Sequence, residues 1–348
     1  MRYTTGVIFT RRIPLAVVLQ LGMMVVGMSA AWAFVVFALY AYAGLTFLRV
    51  PFLPIATIGT AVAFYVGFKN NSAYDRFWEG RKIWGGIVNV SRSWATAVLA
   101  YIGPGDDSED AKAHRRLLVY RQLAWINALR LQLRKTSRLF DKPARGTKRR
   151  LEQHAEAMRN DWDTELAPFL EPDELASLSS KKNTATHVLE RQAALLAELV
   201  RGQRLDLFHQ IALMEMITEM YALQGKCERI KNTPFPRQYA EYSRVFTRVF
   251  VFLVPFGLLD VFADQIDAAS SAAENLVLLI PMLLAAGLVS WVFITMEGVG
   301  DASEDPFERS MNDVPMNALC RTIEIDLREL LGERDLPEKE KPAGIFLY

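Results

Sequence analysis

The sequence predicts an all-α membrane protein with four transmembrane helices per subunit and a helical cytosolic domain. Two observations predict it. Uncharged apolar runs concentrate in residues 13–68 and 245–296, whereas charge concentrates in 69–244 and in the C-terminal tail. Apolar residues also recur at helical spacing along the chain, with no sustained alternation of the kind a half-buried strand needs. A composition 51% hydrophobic and 23% charged averages two unlike parts. The predicted organisation is therefore an N-terminal helix and two spans in 1–68, a cytosolic helical domain in 69–244, two further spans in 245–296, and a cytosolic segment and tail in 297–348.

At the start, Arg11-Arg12 before an apolar run and Ala31-Trp32-Ala33 imitate a cleaved signal peptide. The apolar run continues to Leu48, far too long for a signal segment. From Ile13 to Leu48 is about 36 residues, or ~54 Å of helix, more than one simple span. A break at Gln20 and Gly22 is expected, dividing an interfacial piece near 7–20 from a first span near 21–45.

The second span is the most informative stretch. Phe52 to Phe68 carries no charge, and about 17 residues make ~26 Å, nearly the thickness of a bilayer's hydrocarbon core. Thr57, Thr60, Ala61, Phe64 and Phe68 recur at three- and four-residue steps, giving one face of small groups and phenyl rings. Val62 and Val66 fall elsewhere and are assigned to lipid. The apolar run ends at Lys69-Asn70-Asn71, but the helical period continues through Asp75, Arg76, Glu79, Arg81 and Lys82 to about Ala100. One helix leaves the membrane without breaking. Glu79 and Lys82 are spaced to pair, and Asn70 and Asn71, below the last ring, are candidate ion-facing groups.

Gly103 to Ser108 supplies turn formers, and 112–134 then reads as a helix. The basic stretch 134–150, with Pro143 and Gly146, reads as an exposed loop. Helices are expected over 151–162, 184–203 and 205–230, the last ended by Pro234 and Pro236. The third span, 245–263, carries Arg248 near its cytosolic end and Pro255 inside. Asp260, Asp264, Asp267 and Glu274 then crowd a connection with no Lys or Arg. The fourth span, 276–294, contains Pro281 and Gly287. Arginines before the first span place the N-terminus inside, and four spans return the C-terminus there.

No enzyme constellation is present. His114, His154, His187 and His209 are scattered without ligand spacing, and no phosphate loop or nucleophile motif occurs. Cys227 and Cys320 match no metal motif and read as reduced, buried thiols. A net charge of +1 gives no argument for nucleic acid.

GFKNNSAYDRFWEGRKIWG, preceded by an apolar helix bearing Phe64 and Phe68, closely resembles the bestrophin family, the bacterial members most nearly. CERIKNTPFP, the elements EDPF and NDVP within 304–315, and LCRTIE at 319–324 extend the resemblance over nearly the whole chain. It implies a homopentamer around a central pore, in the cell membrane, the inner membrane of a bacterium. It also implies a hydrophobic neck, here Thr60, Phe64 and Phe68, and a cytosolic constriction for which Leu207, Phe208 and Ile211 are candidates.

Permeant monovalent ions and the bilayer are the implied partners, with chloride favoured and a cation-conducting channel as the alternative. A carrier would show internal repeats and intramembrane ionisable groups, and neither occurs in the second span. A non-conducting scaffold explains the phenyl rings as packing. In animal bestrophins a dense acidic loop binds Ca²⁺, but here the matching segment reads Glu308 to Asp313, interrupted by Arg309 and Met311. Asp305, Asn312 and Asp313 remain, too few hard oxygen ligands for a tight site. A clasp between subunits is expected there, with no cofactor and no metal site.

Overall fold

The computed structural model describes residues 7–8, 15–103, 105–106, 108–134, 159–268, 272–307, 313–341 and 346–347. Among these the chain forms ten α-helices: α1 (Leu15–Ala41), α2 (Phe52–Tyr101), α3 (Glu109–Arg134), α4 (Trp162–Leu166), α5 (Pro172–Ser179), α6 (Thr184–Arg201), α7 (Leu207–Asn232), α8 (Arg237–Ala268), α9 (Ala272–Ser303) and α10 (Met316–Leu330). They group into two compact units.

The first unit holds residues 11–75 and 235–304: α1, the start of α2, α8 and α9. Among the described residues, four stretches are long and apolar enough to cross a membrane, Gly22–Ala41, Thr46–Tyr101, Arg237–Ala268 and Val277–Ser303. The expected break at Gln20 and Gly22 is absent, because α1 runs through both positions. Gly22 is a packing site instead, with the indole of Trp291 lying where a Cβ would stand. Pro255 and Pro281 lie inside continuous helices. Ala33, Ile55, Val62, Val66, Phe250 and Val254 close one core, and Phe37, Leu259 and Met282 belong to a second. Val62 and Val66 therefore face protein, not lipid. Both environments are apolar, so hydrophobicity alone does not distinguish them.

Asp260, Asp264 and Asp267, expected in a connection, lie instead in the last turns of α8, and the first two are paired from another part of the chain. Arg49, between α1 and α2, reaches Asp260 at 2.8 Å and Asp264 at 2.9 Å. Asp260 also accepts the backbone N–H of Phe52 at 3.1 Å, serving a first-turn donor of α2 that has no intrahelical partner. The Tyr40 hydroxyl donates to Asp267 at 2.9 Å.

The second unit holds residues 1–10, 76–234 and 305–348. Helix α3 is its centre, buried almost without interruption from Leu118 to Leu133 among Trp84, Trp94, Leu196 and Ile323. Such burial strands polar groups unless they are paired, and side-chain hydrogen bonds hold several of them. Gln122 donates to Ser91 at 2.9 Å, and Trp125 donates to Gln224 at 3.0 Å. Gln224 in turn donates to Glu228 and Thr186, each at 2.8 Å. Asn183 caps α6 and Asp206 caps α7 through accepting side chains. Pro172 opens α5 at a position where its missing N–H costs nothing. Both cysteines are free and buried, and burial pushes the Cys320 thiol up to about 11 and that of Cys227 up as well.

Two expectations change in this unit. Glu79 pairs with Arg229 at 2.6 Å, a partner supplied by the CERIKN segment rather than by Lys82 one turn on. Val7–Ile8, expected to begin an interfacial helix, pairs antiparallel with Phe346–Leu347 instead. Two residues per strand are too few to show a period. The basic stretch expected as a loop lies, beyond Arg134, outside the described residues, as does most of the helix expected over 151–162.

Candidate functional site

The site is built on the rotation of α2. At about 100° per residue, Ile55, Gly59, Val62, Val66, Lys69 and Ala73 fall on one side of the helix. All six are buried. Gly59 lets the Phe250 ring lie directly on the α2 backbone, where a Cβ would collide with it. Thr57, Thr60, Phe64, Phe68 and Asn71 fall on the opposite side, and all five are exposed.

Phe64 and Phe68 are 66% and 62% exposed, and their rings stack with centroids 6.5 Å apart. The hydroxyls of Thr57 and Thr60 donate back to Leu53 and Ala56 at 2.9 and 3.0 Å, so their protons are used within the helix. The exposed face is therefore two stacked phenyls beneath two self-satisfied threonines. On a membrane span this is an apolar surface with no charge.

Asn70 and Asn71 separate. Side chains one residue apart differ by about 100° in direction, so they cannot both face one axis. Asn71 continues the exposed stripe. Asn70 turns to α9, donating to the Met296 carbonyl at 2.8 Å with its amide over Gly300. Asn70 thus makes a helix-helix contact, and of the two candidates Asn71 shares the face of the rings.

Lys69 is the residue that sequence reasoning passed over. Its ammonium is 0% exposed and meets Asp301 at 2.6 Å, Glu304 at 3.2 Å and Glu297 at 3.3 Å. Arg244 of α8 adds a second cation, 2.9 Å from Asp301. The signal was present, since the steps from Ile55 through Gly59, Val62 and Val66 arrive at position 69. A lysine in a core stripe needs counter-charges.

Leu207, Phe208 and Ile211 lie in the first turns of α7, all exposed, with Asp206 capping the helix through the Phe208 N–H at 2.8 Å. Among the clasp candidates, Asp305 faces Arg76 at 3.5 Å and Asp313 is buried. Asn312, with Arg309 and Met311, lies outside the described residues. Phe307 packs its ring against Gly80 of α2, which accounts for the glycine within FWEGRKIW.

A family model described as Bacterial/Fungal Bestrophin protein matches residues 7–329. The voltage-dependent anion channel-forming protein YneE of Escherichia coli K12 is 28% identical over 303 residues, covering 87% of this chain and 83% of that one. The voltage-dependent anion channel-forming protein mll4386 of Mesorhizobium japonicum is 29% identical over 296 residues, covering 85% and 79%. Among solved structures, a bacterial bestrophin homolog from Klebsiella pneumoniae matches with a TM-score of 0.69 at 21% identity, over 90% of this chain and 99% of that one. A fold shared over nearly the whole chain, and a family match that takes in both the rings of α2 and the segments after α9, lead to one conclusion: the chain belongs to the bacterial and fungal bestrophin family.

Proposed function

We propose that the protein is a pentameric anion channel in which five copies of α2 surround a hydrophobic neck made by Thr60, Phe64 and Phe68. The observation that carries this reading is the exposed stripe. Two stacked phenyls and two threonines lie opposite a fully buried face, on a helix long and apolar enough to span. Five such faces around an axis make a constriction that water can vacate, which blocks ions without a charged plug.

Chloride is favoured on three grounds. The relatives are named for anion channels. Phenyl edges carry partial positive charge. Asp260 and Asp264, two of the three aspartates in the last turns of α8, which would otherwise favour cations, are paired with Arg49. The test is the reversal potential of purified protein in bilayers under a salt gradient, with mass photometry on the same preparation. A reversal near the chloride potential and a cyclic pentamer are expected. Reversal near the cation potential overturns the anion assignment, and a clean monomer or dimer overturns the pore.

Two further expectations belong to this reading. Gating is indifferent to micromolar Ca²⁺, because Asp305 is engaged by Arg76 and Arg309 and Met311 interrupt the loop. Opening by added Ca²⁺ that Asp305→Ala with Asp313→Ala abolishes would contradict it. Leu207, Phe208 and Ile211 supply the second constriction, and alanine at one of them shifts permeability ratios among anions of different size while sparing assembly. Unchanged ratios at all three positions remove that constriction.

A further inference from the structure

Lys69 follows directly on Phe68, the lower ring of the exposed stripe, yet it points the other way and is fully enclosed. An ammonium has three donors and no acceptor; here Glu297 and Asp301, one turn apart on α9, accept hydrogen bonds from it, and Glu304, just past the end of that helix, adds a third carboxylate at 3.2 Å. Arg244 holds Asp301 from the far side and donates to Glu241 at 2.9 Å. The next residue makes a second bond to the same helix, from the Asn70 amide to Met296. Gly300 is shaped to this contact, since a Cβ there would fall on the Asn70 side-chain oxygen.

The rest of the buried stripe, from Ile55 to Val66, is aliphatic or glycine. Apolar contacts of that kind tolerate a small rotation or slide. An ammonium with three fixed partners does not, and the best-attested use of a buried polar group is to fix register. The two directional contacts fall within two residues of Phe68. A rotation of α2 of a few tens of degrees would turn both phenyls off their common axis, because successive rings four residues apart already differ by ~40°.

We propose that Lys69 is a positioning residue for the neck: its ion cluster with Glu297, Asp301 and Glu304 holds α2 at the rotation that aims Phe64 and Phe68 at the pore axis. This rests on the neck reading above. Lys69 does not meet the permeating ion, so loosening the cluster widens and wets the constriction while leaving ion choice alone.

The test is single-channel recording of Lys69→Met, alone and in a Phe64→Ala/Phe68→Ala background, with pentamers checked by mass photometry and voltage set where the double variant is submaximally open. Expected is a several-fold rise in open probability at an unchanged reversal potential, and no further rise once the rings are gone. Should Lys69→Met not assemble, Asp301→Asn, which keeps the side chain's shape, is expected to give the same pattern. Three results would overturn the inference: wild-type open probability in assembled variants, a rise that persists without the rings, or a shifted reversal potential. If the ring variant itself gates like wild type, the neck reading fails. If the ring variant opens and the Lys69 and Asp301 variants do not, only the positioning role fails.

Discussion

Truncating both rings, Phe64→Ala with Phe68→Ala, is expected to raise open probability several-fold in intact pentamers. The two side chains lie within ~40° of one another around α2, their rings stack, and both are more than half exposed. Removing ten phenyls from a ring of five subunits widens the neck and removes the surface that excludes water. Ile58→Ala, on the flank of the helix, should leave gating unchanged. Val62 and Val66 are unsuitable controls, because both are core residues and alanine there removes two buried methyls, costing more than the ~0.5–1.5 kcal/mol of a one-carbon Ile→Val truncation. If the phenyls only pack between subunits, the outcome differs. The double variant would then weaken assembly, while the surviving pentamers would open like wild type. Single-channel recording paired with size analysis separates the two.

The elements of this fold were readable because each depends on local pattern. An uncharged run of bilayer length followed by charged residues in the same period predicts α2 as one helix, and it is one helix of 50 residues. The rotation of that helix was only half readable. Threonine and phenylalanine at three- and four-residue steps marked one face, but valine at 62 and 66 is as suited to lipid as to a protein core. Pairings between distant segments were not readable at all. Lys69 meets carboxylates more than 220 positions along the chain, and Arg49 meets Asp260 from 211 positions away. Charge counted within a connection cannot register a counter-ion that folding brings from elsewhere. Asp260 and Asp264, in the last turns of α8, are therefore paired although their own stretch holds no cation.

The same distinction between paired and unpaired charge sets the largest expected loss of stability, which lies at Glu165 in the second unit. Glu165 sits in α4, a five-residue helix capped by Asp161. It receives Arg130 at 2.6 Å and Arg159 at 2.8 Å. Arg130 is 1% exposed and also donates to Asn317 and Asn127. Glu165→Ala removes the only carboxylate these two guanidinium groups share among the described residues and leaves Arg130 buried with the neutral partners Asn317 and Asn127. Breaking a buried pair in this way costs about 3–5 kcal/mol. At roughly 2–4 °C per kcal/mol for a unit of this size, the melting temperature of the detergent-solubilised protein should fall by ~10 °C at a fixed scan rate. Arg130→Met should cost less, because Glu165 keeps Arg159 as its counter-charge. Arg49→Met, at an exposed pair, should cost no more than about 1 kcal/mol. The order Glu165→Ala, then Arg130→Met, then Arg49→Met follows from which variant strands a charge away from water. A Glu165→Ala protein melting within about 2 °C of wild type, less than 1 kcal/mol on the same scale, would mean that water reaches Arg130 despite its enclosure.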